Sequence, residues 1–431
     1  MAGTEFSEEP TIRLKLLVDK EKNKVVLAEV GKDFVDVLFS FLILPIGTIV
    51  RFLQKHHHNQ KSPAAATKIG CFNNLYKSVV DMSNDDFLTE ACKHILLYPM
   101  HVKVSQCKRL KLNIDDTPIL KYYRCPDLGN SQSCSKAYSN FYSLKCVCGK
   151  FMKQEIIANE GVREEIFVSD NKSFIISDNM KVGFSSISLA LKTIRELGHT
   201  DLDKLDEMLV DVGHKEVLAL LECLLSSDTP LTDAFLMKRS SCIITKTPNM
   251  ASLAALQDGG KEEESNEQQL SVTLFVRKQD KKVLYAESGQ DFVDLLLIFL
   301  AVPLELVWGI SGNNIELECI DNLCKSKKSL SSSQATHHSS TMLPLNYSFQ
   351  APLLGISRKV SIPWSVTINY QRYDLKLMYP NYDGSGESTI HSSSGLVRRG
   401  TTYMISDDLT ISAKKLFFNY LHIEEVECRL G

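Results

Sequence analysis

None of the short signatures that mark common catalytic sites occurs in this chain of 431 residues. There is no Gly-x-x-x-x-Gly-Lys-Ser/Thr loop to cradle phosphates and no Gly-x-Gly-x-x-Gly turn for a dinucleotide. A Gly-x-Ser-x-Gly elbow and a His-Glu-x-x-His pair are missing as well, so the common hydrolase and zincin chemistries lack their sequence handles. Charge of one sign is lacking too. The 49 Lys and Arg against 52 Asp and Glu leave a formal net charge of −3, and no global field draws nucleic acid or an anionic membrane. The most apolar run, residues 37–50, holds fourteen uncharged residues but includes Pro45 and Gly47. It falls short of the roughly 20 apolar residues of a membrane span and reads as a buried helix, so no membrane insertion is expected. Residues 1–10 carry no basic segment followed by an apolar core, so no secretory leader is expected and the expected compartment is cytoplasm or nucleus. There the 12 cysteines are expected to be thiols or metal ligands rather than disulfides.

What the chain does have is a repeat. Residues 14–45 align without gaps on residues 272–303 with 16 of 32 positions identical. Gly31, Asp33, Phe34, Val35, Asp36, Leu38, Phe41, Leu42 and Pro45 meet Gly289, Asp291, Phe292, Val293, Asp294, Leu296, Phe299, Leu300 and Pro303. In each copy alternating apolar residues, such as Ile12, Leu14, Leu16 and Val18, flank a turn-prone segment and predict a β-hairpin feeding an amphipathic helix. Asp33 and Asp291 stand where an N-cap is wanted, with Asp36 and Asp294 three residues on, so all four read as helix-end carboxylates. A second match pairs Cys71, Asn74, Leu75, Lys77 and Ser78 with Cys319, Asn322, Leu323, Lys325 and Ser326. A third pairs residues 174–180 (FIISDNM) with residues 403–409 (YMISDDL), each an apolar strand ending in a Ser-Asp turn.

The fold class expected is therefore α+β, with two tandem homologous modules. The first covers 11–240 and closes with C-terminal helices, read from helical spacing at Ile187, Leu191, Ile194 and Leu197 and from amphipathic stretches at 202–209 and 217–224. Residues 248–270 read as an acidic flexible linker around KEEESNEQQ. The second module, 271–431, is shortened, with no counterpart expected for residues 201–236. His56, His57 and His58 read as part of a solvated loop, and the serine-rich segments 329–341 and 385–394 as surface or disordered segments.

Metal-ligand character is concentrated in Cys125, Cys134, Cys146 and Cys148, four soft donors within 24 residues. Zinc favours such thiolates in tetrahedral array. Cys146-Val147-Cys148-Gly149-Lys150 resembles a knuckle, with glycine permitting the tight turn. Tyr122, Tyr123, Tyr138, Phe141 and Tyr142 supply strand-forming residues for a zinc-ribbon hairpin. The expectation is one structural zinc in the first module alone, against a bland reading of cysteines packed as small hydrophobes. Glu155 and His101 would be the bases of a catalytic metal only by default.

Residues 16–31 (LLVDKEKNKVVLAEVG), 33–50 (DFVDVLFSFLILPIGTIV), the cysteine segment ending at Lys150 and the two ISD strands together resemble the plant family called "domain of unknown function 674". The resemblance covers most of 11–240 and, more patchily, 271–420. It implies a tandem module and supplies no activity and no catalytic residue. Three readings of function follow. Duplicated modules without catalytic motifs suggest a non-catalytic interaction or scaffold protein with a protein partner. The cysteines beside Lys136, Lys145, Lys150 and Lys153, with Tyr122, Tyr123, Phe141 and Tyr142 for stacking, suggest a zinc-ribbon-like nucleic-acid binder, which the neutral net charge disfavours. An enzyme without a recognised motif would draw on Cys71 or Cys319, present in both copies.

Overall fold

The computed structural model describes residues 9–59, 69–99, 101, 103–119, 121–130, 134, 136–156, 166–168, 172–199, 202–237, 270–311, 317–333, 364–368, 371–378, 395–413 and 423–430. The expected linker, except Leu270, and the serine-rich segment 385–394 lie outside them. The first half opens with the antiparallel hairpin β1 (Ile12–Asp19) and β2 (Lys24–Val30). Helices α1 (Lys32–Ile43), α2 (Ile46–Asn59), α3 (Phe72–Asp81), α4 (Glu90–Leu97) and α5 (Val104–Cys107) follow. Short strands β3 (Tyr122–Arg124), β4 (Ala137–Ser139) and β5 (Gln154–Ile156) come next. The half then runs through β6 (Phe174–Ser177), β7 (Val182–Phe184), α6 (Ile187–Glu196), β8 (Leu205–Val212) and α7 (His214–Ser226) to a π-turn at Thr232–Leu236.

The second half repeats the opening with β9 (Leu270–Arg277), β10 (Val283–Ser288) and α8 (Gln290–Ile298). It continues with α9 (Leu304–Ile310), α10 (Glu318–Ser333), β11 (Trp364–Ile368), β12 (Gln371–Leu377), β13 (Tyr403–Ser406), β14 (Ile411–Ala413) and β15 (Ile423–Leu430). The fold is α+β, and among the described residues three sheets are ordered β7-β6-β2-β1-β8, β14-β13-β10-β9-β15 and β11-β12-β4-β3-β5. The first two have the same order when their strands are matched along the chain. Among the described residues no helix is long and apolar enough to cross a membrane.

Several expectations change. The stretch 202–209 is helical only in the single 3-10 turn Leu202–Lys204: from Leu205 it is the edge strand β8, paired antiparallel along the whole of β1. Its period of two puts Met208, Val210 and Val212 toward the core and leaves Leu209 exposed. On the solvent face Arg13–Asp211 (2.8 Å) and Lys15–Glu207 (2.6 Å) pair across the strands. β15 holds the matching place beside β9, so the second half does have a counterpart of this strand. His56, His57 and His58 belong to the last turns of α2 rather than a loop, and α10 carries the serine-rich segment in helical form as far as Ser333.

The apolar run 37–50 is also not one helix. α1 stops at Ile43, and Leu44 takes an extended conformation before Pro45, as a residue preceding proline prefers. Pro45 then faces Pro303 in an antiparallel bridge between the halves. Neither proline has an N–H to give, so the bonds are supplied by neighbours: Ile46 N donates to Val302 O (3.0 Å) and Leu304 N to Leu44 O (3.1 Å). That is the non-hydrogen-bonded position of an antiparallel pair, where proline costs nothing. A Cβ on Gly47 would stand 3.0 Å from Leu300 O and 3.2 Å from Leu96 O, so glycine is what permits α2 to approach the other half this closely. Residues 34–43 of α1 are buried throughout. One apolar cluster runs from Leu14 and Phe34 through Leu53 to Leu297, Leu300 and Leu323.

The helix-opening carboxylates do other work than capping. The N-caps are Gly31 and Gly289, and neither helix receives a side-chain cap. Asp33 and Asp291 lie in the first turns, where their charge favours the helix end. Asp36 Oδ1 accepts from Phe167 N (3.1 Å) and Val168 N (3.0 Å), and Asp294 Oδ1 from Leu396 N (2.8 Å) and Val397 N (3.0 Å). Each carboxylate therefore pins a returning loop onto its helix. Lys32 pairs with Asp36, whereas Gln290 stands at the matching place before Asp294 and brings no charge.

Burial pushes the Asp294 carboxyl up to about 7, against the two backbone amides that lower it. A raised folded-state value means that the stability it contributes is full below about pH 4 and is lost as pH rises through 7. Thermal melts of Asp294→Asn beside the wild type are expected to show the wild type losing ground between pH 4 and 7. The slope should not exceed about 1.4 kcal/mol per pH unit. A difference independent of pH would show that the carboxyl ionises as freely folded as unfolded.

Candidate metal centre

Three of the four cysteines of the ribbon, Cys125, Cys134 and Cys146, converge as one group, and Cys148 stands beside Cys125. β3 and β4 pair antiparallel through Tyr123–Ser139 and Arg124–Tyr138, and β5 pairs with the other edge of β3. Cys125 leaves β3, and Cys134 approaches β4 from the other side of the intervening loop. The Cys146–Lys150 knuckle closes on itself: Gly149 N donates to Cys146 O (2.7 Å) and Cys146 N to Lys150 O (2.8 Å). Gly149 has φ +84°, the left-handed region that a side chain rarely adopts. Beyond the turn, Lys145 and Phe151 form an isolated antiparallel bridge.

The sulfurs of Cys125, Cys134 and Cys146 all lie within 4.8 Å of one another, and the three residues are buried. Cys146 Sγ stands 3.8 Å from Cys134 Sγ, and Cys148 Sγ 3.5 Å from Cys125 Sγ. Cys148 is the half-buried member at the rim. Backbone amides turn toward two of these sulfurs, Asp127 N toward Cys125 and Lys136 N toward Cys134. Burial pushes both thiols up, the amides oppose this, and the Cys146 sulfur adds to the rise in both. Outside the pocket Lys150 Nζ pairs with Asp127 Oδ2 at 2.6 Å, joining the two cysteine turns.

The ribbon is not sealed by the first half alone. β12 adds to it in parallel, matching Lys376 with Ala137 and Leu377 with Tyr138, and Met378 N donates to Tyr138 O (2.7 Å). Leu375 and Met378 are buried there. Residues 371–378 gave no sequence signal for this, because a parallel pair distant in the chain leaves no local pattern.

The other candidates are placed differently. Glu155 is exposed and accepts from Lys121 Nζ (3.3 Å). His101 Nε2 lies 2.8 Å from Asp115 Oδ2, both buried, and Asp115 Oδ1 accepts from Thr117 N. His101 is therefore held in a polar packing pair. Among the described residues the one group of three or more potential metal ligands is the cysteine cluster.

Of the aromatics expected to stack on bases, Tyr122 and Phe141 are buried. Tyr122 packs edge-on against Tyr138, and Tyr123 against Tyr142. Tyr142 is exposed, as are Val147 and Phe151, two residues the sequence reading passed over. Lys145 and Lys153 lie over the Phe151 ring at 5.3 and 5.4 Å. Lys145, Lys150 and Lys153 thus pair with the ribbon's own acid and ring.

The ten cysteines whose side chains are described form no disulfide with one another. Burial holds the Cys319, Cys107 and Cys324 thiols up at about 12 and the Cys92 thiol at about 11. Cys71, half-buried, is also raised by burial. The two cysteines shared by the repeat are therefore poor nucleophiles.

In comparisons with known proteins, a family model described as "Protein of unknown function (DUF674)" matches residues 8–430. No curated protein and no solved structure matches the chain.

The raised thiols generate a direct expectation. Alkylation of the native chain with a maleimide at pH 7, read by peptide mass spectrometry, should leave Cys92, Cys107, Cys319 and Cys324 unmodified until the chain is unfolded. Rapid native labelling of Cys319 would instead mark an activated thiol and reopen the enzymatic reading.

Proposed function

The chain belongs to the DUF674 family of proteins of unknown function, so kinship carries no activity to it, and we propose a non-catalytic interaction protein whose ribbon is organised by one structural zinc. The observation that supports this most is the sulfur geometry. A tetrahedron with Zn–S bonds of about 2.3 Å has edges of about 3.8 Å. The Cys134–Cys146 and Cys125–Cys148 separations, 3.8 and 3.5 Å, sit near that edge length. Four thiolates would fill every position, which is the mark of a structural rather than a catalytic site, where one position stays open for water. The amides of Asp127 and Lys136 aimed at sulfur are the outer partners that such thiolates use.

Interaction rather than catalysis is supported by what surrounds the cluster. Tyr142, Val147 and Phe151 are exposed on the ribbon, an apolar contact surface suited to a protein partner. The nucleic-acid alternative loses support, since two of its four stacking residues are buried and Lys150 is paired with Asp127. In this reading residues 11–240 and 271–431 are two copies of one module, and duplication offers a partner two related surfaces in one chain.

Elemental mass spectrometry on the full chain, purified without chelator, should find about one zinc per molecule, as a single closed site requires. The Cys125, Cys134, Cys146, Cys148→Ser variant should find none. Removing the metal from the wild type should melt the ribbon, because structural zinc contributes on the order of 10 kcal/mol in small zinc-dependent folds. A metal-free wild type with an unaltered melt would leave the cysteines as packed hydrophobes and end the zinc reading.

A further inference from the structure

The second repeat match, Asn and Ser four residues apart on a helix, has no part in the metal centre, yet the structure uses it twice in the same way. On α3, Ser78 Oγ donates to Asn74 O (2.7 Å) and accepts from Ile411 N (2.8 Å), and Asn74 Nδ2 donates to Asp408 O (2.8 Å). On α10, Ser326 Oγ donates to Asn322 O (2.7 Å) and accepts from Val182 N (2.9 Å), and Asn322 Nδ2 donates to Asn179 O (2.8 Å). Each helix reads the Ser-Asp turn of the opposite half: α3 of the first half grips β13–β14, and α10 of the second grips β6–β7. The turns match as well, with positive φ at Met180 (65°) and at Leu409 (60°). Leu75 and Leu323, the repeat's shared leucines, are buried beside these contacts.

We propose that this reciprocal clasp, centred on the Pro45–Pro303 bridge, is a recognition surface through which the two halves bind one another as separable partners. The chain is then the single-chain equivalent of a twofold dimer with exchanged helices. A twofold interface is self-complementary, residue i meeting j while j meets i, and the two sets of three hydrogen bonds obey that rule. The partner each half fits is the matching half of the same chain, chosen by a backbone amide and a backbone carbonyl offered at fixed spacing by a left-handed turn. Ser78 and Ser326 each satisfy a buried strand-edge amide that has no sheet neighbour at that point, so removal leaves a donor stranded. The proposal stands apart from the zinc reading, since no ribbon cysteine takes part.

The test keeps the full chain. A specific protease site is placed within residues 261–269, the folded protein is cut there, and a tag on one half is used to ask whether the other remains. The cut wild type is expected to co-elute on size exclusion at the volume of the intact chain and to co-purify in native buffer. The N74A, S78A, N322A, S326A variant, checked uncut for folding by circular dichroism, is expected to release its untagged half. Its dissociation constant between halves should be at least about tenfold higher, as the loss of several buried hydrogen bonds implies. Should that variant fail to fold uncut, S78A and S326A are compared singly in the same way. Separation of the cut wild-type halves would overturn the proposal, and so would variants that hold together as tightly as the wild type.

Discussion

Two backbone hydrogen bonds beside Pro45 and Pro303 tie the halves together at the point where α2 and α9 begin. The helix that precedes each proline is buried along its apolar face, and the helix that follows must leave in a direction dictated by the bridge. Because Ile46 N and Leu304 N are satisfied across the halves, α2 and α9 start from fixed points against the opposite core. Each such bond contributes only about 0.5–1.5 kcal/mol net. The leucines and phenylalanines packed around the bridge contribute about 1.5–3 kcal/mol apiece. Apolar burial thus supplies the free energy, and the proline bridge decides which geometry receives it. The inserted proline, costly inside a helix or a central strand, sits at one of the few places where a missing N–H is harmless.

The hairpins and the ISD strands were legible in the sequence because each is fixed by local alternation and by turn residues, whereas α1 begins at Lys32 after Gly31, ahead of the expected cap at Asp33. The cysteine cluster was legible from composition and spacing, even though Cys125 and Cys134 are not arranged as a regular knuckle. What could not be read was non-local. Residues 202–209 show leucines that suit a helix as well as a strand, and only the row of β1 amides opposite Leu205–Val212 decides for the strand. Asp36 and Asp294 have the spacing of helix-end carboxylates, but their donors are amides more than one hundred residues away along the chain. The same holds for β12, whose addition to the ribbon depends on a parallel edge that no local pattern announces.

The two ISD turns differ in the work their aspartates do. Asp178 Oδ1 accepts from Leu231 N and Thr232 N, both at 3.0 Å, and its Oδ2 accepts from Thr232 Oγ1 (2.7 Å). Thr232 Oγ1 in turn accepts from Val25 N (2.8 Å). The carboxylate thus ties the end of the first half back onto its opening hairpin, and burial lifts it to about 6. Asp407, its match in the repeat, is exposed. One aspartate is a buried strut and the other an exposed turn residue, and each follows a strand of the same length.

The exchange of helices has a consequence for the order of events at the ribosome. Ser78 and Asn74 are separated from the residues they hold by 333 and 334 positions. At a synthesis rate of roughly 5–20 residues per second, α3 emerges roughly 15–70 s before its strand does. During that interval the nascent first half has α2 and α4 to pack on α3 but lacks the strand that Ser78 and Asn74 hold, while the reciprocal grip of α10 on β6–β7 can form as soon as α10 appears. Closure of the fold is therefore vectorial, with one side of the clasp made early and the other last. The period of greatest exposure to chaperones and to misassociation falls between them.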